Sequence, residues 1–342
     1  MKINLIIFLS EFVLGGAGNS VYKLCKNLPK KKYSISVICL NKCYYKKLLN
    51  KHDVKVYEVK SSRTILGFFK IKKLVENIIK NKTKPSIFIS NIYYSNILSI
   101  FFLRRLNLKI CLIERTPFQE LKIFYSFKDF LKKTILKILI KLTFYRADVC
   151  ISNSRFISTV YNKKYNLEFK TIFPPSFDQK IILKPKKISK KIKCVTVCRL
   201  TREKGLDKLI KIFSDLDNTI SLHIIGDGPY MNNLKKMVSE LNLKSKIFFK
   251  GQISPLKIKS HLKYYDFYIN HSDFEGFPNT VVEALSSNLP VLASQSYGGI
   301  NEILPNKRYG IIYKNDEELY YYLKKLSKNN LKISFSKKEI FN

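Results

Sequence analysis

The feature that most constrains this chain is an alternation of short apolar runs with amphipathic helical stretches along its whole length. Runs rich in Ile, Leu, Val and Phe that read as strands fall near 2–9, 33–40, 54–59, 86–91, 109–113 and 147–152. A second set falls near 192–198, 219–225, 246–250, 266–270, 290–293 and 309–312. Strands separated by helix-length segments predict parallel sheets with helices on both faces. Between the two sets lies a Lys-, Pro- and Ser-bearing stretch, 179–191, that reads as a linker. The expected architecture is therefore α/β, with two Rossmann-like domains at 1–178 and 192–342 and a cleft between them. A length of 342 residues agrees with about two domains.

Charge narrows the partners. There are 63 Lys and Arg against 25 Asp and Glu, a net charge of +38. Codon bias would explain why nearly all of the cations are Lys, but not why acids are scarce. A field this positive attracts polyanions, either nucleic acid or an anionic membrane surface. Arginine grips phosphate through a planar fork that lysine cannot copy. Three of the few arginines, Arg115, Arg199 and Arg202, fall in loops expected around the cleft. The seven Cys sit mostly in apolar runs with no CxxC or Cys/His metal spacing, the pattern of a reduced cytoplasmic protein. Met1–Leu9 is too short for a signal peptide and reads as a first strand. No run approaches the ~18 apolar residues of a membrane span.

The most informative motif is Glu275-Gly276-Phe277-Pro278-Asn279-Thr280-Val281-Val282-Glu283. A Gly/Pro/Asn turn separates the first carboxylate from an apolar helical start, so Glu275 belongs in a loop and Glu283 about one turn into a helix. The backbone N–H groups between them, at the positive end of the helix dipole, suit a phosphate flanked by two acceptors for sugar hydroxyls. The stretch resembles the Glu-x7-Glu signature of retaining glycosyltransferases with the GT-B fold, the family 4 enzymes that use nucleotide-sugar donors. That resemblance implies that Gly276, Phe277, Pro278, Asn279, Thr280 and Glu283 contact the donor and that Glu275 faces its sugar.

Other motifs fit the same resemblance. Arg199 and Lys204, in Arg199-Leu200-Thr201-Arg202-Glu203-Lys204-Gly205, follow the first strand of the second half. Loops at the carboxyl ends of strands hold ligands in doubly wound sheets. Two cations there can face one pyrophosphate, and the family's Arg-x4-Lys-Gly binds the donor diphosphate. Gly15 and Gly16 open a helix after the first strand and, by resemblance, face the donor phosphate and the acceptor. Ile225-Gly226-Asp227-Gly228-Pro229 reads chiefly as a turn required by the fold. Tyr297-Gly298-Gly299-Ile300-Asn301-Glu302 resembles the family's Gly-Gly-x-x-Glu loop near the donor. Glu114 and Arg115, at the end of a strand, suit acceptor binding, phosphate contact, or no more than an ion pair on a loop. The His that other family members carry in an N-terminal cleft loop is missing from the matching loops here. Asp215-Leu216-Asp217 reads as a turn rather than a metal site, and His271 as structural. The family's C-terminal crossing helix has room here only as a short one or none.

Together these residues predict transfer of a sugar, with retention, from a nucleotide-diphosphate sugar to a glycan or lipid-linked acceptor in bacterial surface polysaccharide synthesis. Neither cofactor nor metal is called for, because two cations already face the diphosphate. A basic nucleic-acid-binding protein and a nicotinamide-dependent dehydrogenase remain as alternatives, but the chain lacks RNA- or DNA-binding motifs and GxGxxG. The expected place is the cytoplasmic face of the plasma membrane. Residues 122–146 carry seven basic residues to one acidic. They predict a helix with Leu131, Ile135, Ile138 and Leu142 inward and Lys128, Lys132, Lys133, Lys137 and Lys141 toward solvent or anionic lipid.

Overall fold

The computed structural model describes residues 2–80, 85–175, 191–305 and 310–328. They form two compact units that divide between Pro175 and Ser176. Apart from Lys191, the segment read as a linker lies outside the described residues, as does everything after Lys328.

The first unit is a parallel sheet of β1 (Ile3–Phe8), β2 (Tyr33–Cys39), β3 (Lys55–Glu58), β4 (Ser86–Asn91), β5 (Lys109–Glu114), β6 (Val149–Ser152) and β7 (Phe169–Thr171), in the order β3-β2-β1-β4-β5-β6-β7. Its helices are α1 (Gly16–Asn27), α2 (Lys46–Asn50), α3 (Thr64–Ile79), α4 (Tyr93–Leu103), α5 (Phe127–Thr143) and α6 (Arg155–Tyr165). Side chains alternate across a strand, so Leu5 and Ile7 of β1 join one core with Val21 and Cys25 of α1, while Ile6 and Phe8 join the other with Phe68 and Ile71 of α3. Helices on both faces explain why the strands read as continuous apolar runs rather than alternating ones.

The second unit repeats the plan with β8 (Ile192–Val197), β9 (Ile220–Ile225), β10 (Ile247–Gly251), β11 (Phe267–Asn270), β13 (Val291–Ser294) and β15 (Gly310–Tyr313), in the order β10-β9-β8-β11-β13-β15. A separate parallel pair joins β12 (Phe274–Glu275) to β14 (Tyr297–Gly298). The helices are α7 (Leu206–Ser214), α8 (Met231–Glu240), α9 (Pro255–Leu262), α10 (Asn279–Ser286), α11 (Ile300–Ile303) and α12 (Asp316–Ser327). The expected α/β class and both sheets are present. The strands β7, β12 and β14 were not anticipated.

Helix α5 corrects the sequence reading. The row Leu131, Ile135, Ile138 and Leu142 is exposed, and the buried row is Lys133, Leu136, Ile140 and Thr143. The buried row recurs at helical spacing too, and it ends against Phe144, which is fully buried. Lys133 is buried because its ammonium donates to Ile123 O at 2.7 Å and pairs with Asp129 at 2.9 Å, which satisfies the charge. The helix thus has two apolar stripes, and packing on α4 selects the one that holds Leu136 and Ile140.

Candidate active site

In the second unit the strand order reverses beside β8. From β8 the sheet grows through β9 and β10 one way and through β11, β13 and β15 the other. Connections leaving two such neighbours diverge, and the crevice at their carboxyl ends is where open α/β sheets bind ligands. Here the diverging loops are 198–205, after β8, and 271–278, after β11.

The two loops meet through a charge pair. Lys204 Nζ lies 2.5 Å from Glu275 Oε1, and Ser272 Oγ donates to the same oxygen at 3.1 Å. Only 15% of the Lys204 side chain and 20% of the Glu275 side chain are exposed. Burial alone would lower the lysine, but the carboxylate in contact outweighs it and holds Lys204 above its ordinary value. The ammonium therefore stays charged in a partly dry site, where it acts more strongly on a nearby anion than it would in water. Further ties lock the loops together: Asp273 N donates to Glu203 O at 2.9 Å, and Lys208 pairs with Asp273 at 3.1 Å.

Glu275 is fixed from behind as well. It pairs with Gly298 across β12 and β14, and Gly299 N donates to Gly276 O at 3.0 Å. Gly298 has φ +142, and a Cβ there would fall 1.4 Å from Glu275 O. Only glycine admits so close an approach. The Gly-Gly loop read as lying near the donor thus has a structural duty first, that of holding Glu275 in place.

After the turn at Gly276–Pro278, α10 begins, and Glu283 is half-buried one turn in, as expected. Phe277, Asn279 and Thr280 are half-buried, while Gly276 and Pro278 are buried. The buried Tyr268 hydroxyl of β11 bonds to Thr280 Oγ1 at 2.7 Å and anchors the first turn. One expectation is corrected here. Asn279 N–H is turned back onto Phe277 O at 2.9 Å to close the turn, so it is already bonded rather than presented to a ligand.

Arg199 and Lys204 do not play equal parts. Lys204 is seated on Glu275, whereas Arg199 is exposed, with no ion pair among the described residues. The loop that carries Arg199 is shaped by the Gly226–Pro229 turn, since a Cβ on Gly226 would meet Cys198 O at 1.9 Å, and Leu200 N donates to Asp227 O at 3.0 Å. That turn is structural, as expected. His271 is structural too: its ring nitrogens lie 2.7 Å from the Tyr313 hydroxyl and 3.3 Å from Asp316, and burial lowers its basicity. Asp217 accepts from Thr219 N at 2.9 Å, which is turn geometry.

The remaining candidates lie in the first unit. Gly15 precedes α1, with open space where its Cβ would be, and Gly16 is exposed as the first residue of the helix. Glu114 and Arg115 are less exposed than the sequence implied. Glu114 is fully buried, and its Oε1 accepts from Arg115 N at 2.9 Å and Thr116 N at 3.0 Å, while Oε2 has no partner among the described residues. Burial pushes its carboxyl up to about 8. Arg115 Nε donates to Asn91 Oδ1 at 2.9 Å, and Asn91 Nδ2 donates to Phe8 O at 2.9 Å. This chain of bonds crosses from β5 through β4 to β1, beside the place where this sheet also reverses its order.

Comparison with known proteins now bears on this geometry. Residues 178–339 match the family model described as glycosyl transferases group 1, and residues 14–175 match that of glycosyltransferase family 4. Together the two models take in nearly the whole chain. The chain belongs to the GT-B glycosyltransferases. An uncharacterised glycosyltransferase of Methanocaldococcus jannaschii is 28% identical over 316 residues, 83% of this chain and 73% of its own. An N-acetylgalactosaminyltransferase of Campylobacter jejuni, whose name gives a diphospho-undecaprenol-linked acceptor, is 28% identical over 203 residues, 56% of this chain and 53% of its own. Among solved structures, the Anabaena protein HepE in complex with UDP-glucose superposes with a TM-score of 0.75 at 17% identity, covering 96% of this chain and 90% of that one. That likeness shows a shared fold. In this glycosyltransferase the Lys204–Glu275 pair therefore stands in the second unit, which the group 1 model covers.

Proposed function

We propose that this glycosyltransferase moves a sugar, with retention of configuration, from a nucleotide-diphosphate sugar with UDP as carrier to a glycan or lipid-linked acceptor in surface polysaccharide synthesis such as lipopolysaccharide or capsule. The observation that carries this reading is the Lys204 ammonium held charged on Glu275 where the loops of β8 and β11 meet. Lys204 and the exposed Arg199 would bind the donor diphosphate and stabilise the charge that develops as its bond to the sugar breaks. Glu275 would face the sugar, Glu283 would accept from ribose hydroxyls, and Phe277, Asn279 and Thr280 would line the nucleotide. The leaving phosphate oxygen takes the acceptor's proton as the new glycosidic bond forms on the same face, so no enzyme nucleophile and no metal are required. Gly15 and Gly16 would face the donor phosphate and the acceptor, and Glu114 and Arg115 would serve the acceptor side.

The lipid-linked acceptor named for the Campylobacter relative and the UDP-glucose bound by the Anabaena neighbour support these choices. A peripheral position on the cytoplasmic membrane face follows from such an acceptor; no helix among the described residues is long and apolar enough to cross a membrane. The test is a panel of nucleotide sugars followed by nucleoside diphosphate release, with the anomeric configuration of the product read by NMR. UDP release with an α product from an α donor is expected. An inverted product, or release from no donor in the panel, would overturn the proposal.

A further inference from the structure

The outward row of α5 is left open to solvent among the described residues. Phe127 is 81% exposed, and Leu131, Ile135, Ile138 and Leu142 are each about half exposed. Phe124, Phe130 and Tyr145 extend the patch at its two ends. At about 100° per residue the row lies opposite the buried row, with Lys128 and Lys132 on one shoulder and Lys137 and Lys141 on the other. The helix therefore shows three zones in cross-section: a buried stripe, two lysine shoulders and an outer apolar ridge. A soluble helix turns its charges outward and its apolar side inward. This one turns its lysines sideways and its hydrophobes out.

We infer that the α5 ridge inserts into the interfacial layer of an anionic lipid bilayer, with the shoulder lysines at the level of the headgroups. The charge distribution selects this occupant over a second copy of the chain. Two copies meeting ridge to ridge would bring eight shoulder lysines together. The one acid of the helix, Asp129, is bonded to Lys133 and to Tyr125 N, and a single carboxylate cannot offset four shoulder lysines. An anionic bilayer supplies both missing complements at once, an apolar interior for the ridge and phosphates for the shoulders. Long lysine stems reach sideways to such phosphates while their methylenes lie on the apolar layer. Aromatic rings at the near end of the helix fit the interfacial depth, and Lys137 Nζ already rests 5.1 Å from the Phe124 ring centre. The inference changes what salt should do. Screening would release a purely electrostatic contact, but it leaves the buried apolar ridge untouched. The purpose of the contact rests on the lipid-linked acceptor proposed above, whereas its existence does not.

The chain has no tryptophan, so one introduced at the ridge is a unique reporter. Phe127→Trp should shift its emission to the blue on vesicles of phosphatidylglycerol and phosphatidylcholine. Tyr264→Trp, at a site 76% exposed in the second unit, should not shift. In flotation, the native chain should bind anionic vesicles at low salt and keep a measurable fraction bound in 0.5 M salt, a concentration chosen to be roughly threefold physiological. The triple change Phe127→Ser, Leu131→Gln and Ile138→Gln touches only exposed side chains, so the fold should survive. It should lower vesicle partitioning about tenfold and abolish the salt-resistant fraction. Donor hydrolysis should be unchanged in the triple variant, which separates this inference from the reading of the active site. No blue shift, complete release of the native chain by salt, or a triple variant that floats like the native chain would each overturn it. So would a lipid-free dimer that the triple variant dissociates, because a second copy would then own the ridge.

Discussion

Gly298→Ala is the sharpest test of how the site is built. The added methyl would lie 1.4 Å from Glu275 O and 2.6 Å from Glu275 C, where an ordinary carbon–oxygen contact is about 3.3 Å. One backbone must therefore retreat by roughly 2 Å, and no side-chain rotation helps, because the obstacle is main chain. The retreat breaks the β12–β14 pair and carries Glu275 away from Lys204. Positive φ adds a strain of about 1–3 kcal/mol for a residue with a side chain. Gly251→Ala provides the control: φ is +68, but nothing lies within 4 Å of the added methyl, so only a left-handed penalty of about 1 kcal/mol applies. Urea denaturation should show the larger loss for Gly298→Ala. In a donor-turnover assay, with folding verified by circular dichroism, a misplacement on the order of 1 Å should cost about 100-fold in kcat/KM. Gly251→Ala should turn over like the native enzyme. If folded Gly298→Ala keeps turnover within a factor of two, the pairing does not position Glu275 and the argument fails.

Under the proposed ribose contact, Glu283→Ala should weaken UDP binding at least tenfold, measured by calorimetry, since two hydrogen bonds at about 1 kcal/mol each would be lost; unchanged affinity would remove Glu283 from the ribose. Turnover should persist in EDTA, and full, reversible loss that added magnesium restores would show that a cation is needed. Glu114 sits near 8 in the folded chain against an ordinary 4.5, so the native state favours its protonated form. The stability this gives is present below about 4.5 and is lost as pH rises through about 8. Urea midpoints should therefore fall between pH 5 and pH 8.5 in the native chain. Glu114→Gln should flatten that fall; an unchanged slope would mean that the carboxyl is ionised throughout.

What the sequence made legible depended on the length of the signal. Strands of four to seven residues buried on both faces, such as β1 and β8, announce themselves as apolar runs, and so does the parallel class of the fold. The two-residue β12 and β14 are too short for any periodicity, yet they fix Glu275. Their only trace was the glycine pair 298–299. That Glu283 lies in a helix and Lys204 in the loop after a strand was legible, because a helix start and a strand end are local features. The pairing of Lys204 with Glu275 was not legible, because it spans 71 positions and no local pattern encodes it. Nor was the depth of Glu114: a charged residue after a strand reads as a loop residue unless its backbone donors, Arg115 N and Thr116 N, are seen turning onto it.

Helix α5 shows a different kind of limit. Its apolar residues fall on two helical rows at once, 131-135-138-142 and 136-140, the second continued by Phe144 just beyond the helix, and each alone is an adequate inward face. Counting favours the first row, which has four large aliphatics. Packing favours the second, because Leu136, Ile140 and Phe144 meet a surface already shaped by α4 and by Tyr161 of α6, whose ring stacks 6.4 Å from Phe144. A buried lysine is costly unless its charge is met, and Asp129, one turn earlier, meets that of Lys133. That i,i+4 pair was visible in the sequence and is the one local clue that Lys133 could face inward. Once it does, the helix has only one orientation left, and the four aliphatics must face out. Four exposed aliphatics in one row form the kind of apolar patch that marks an interaction surface, and the bilayer contact inferred above rests on that row.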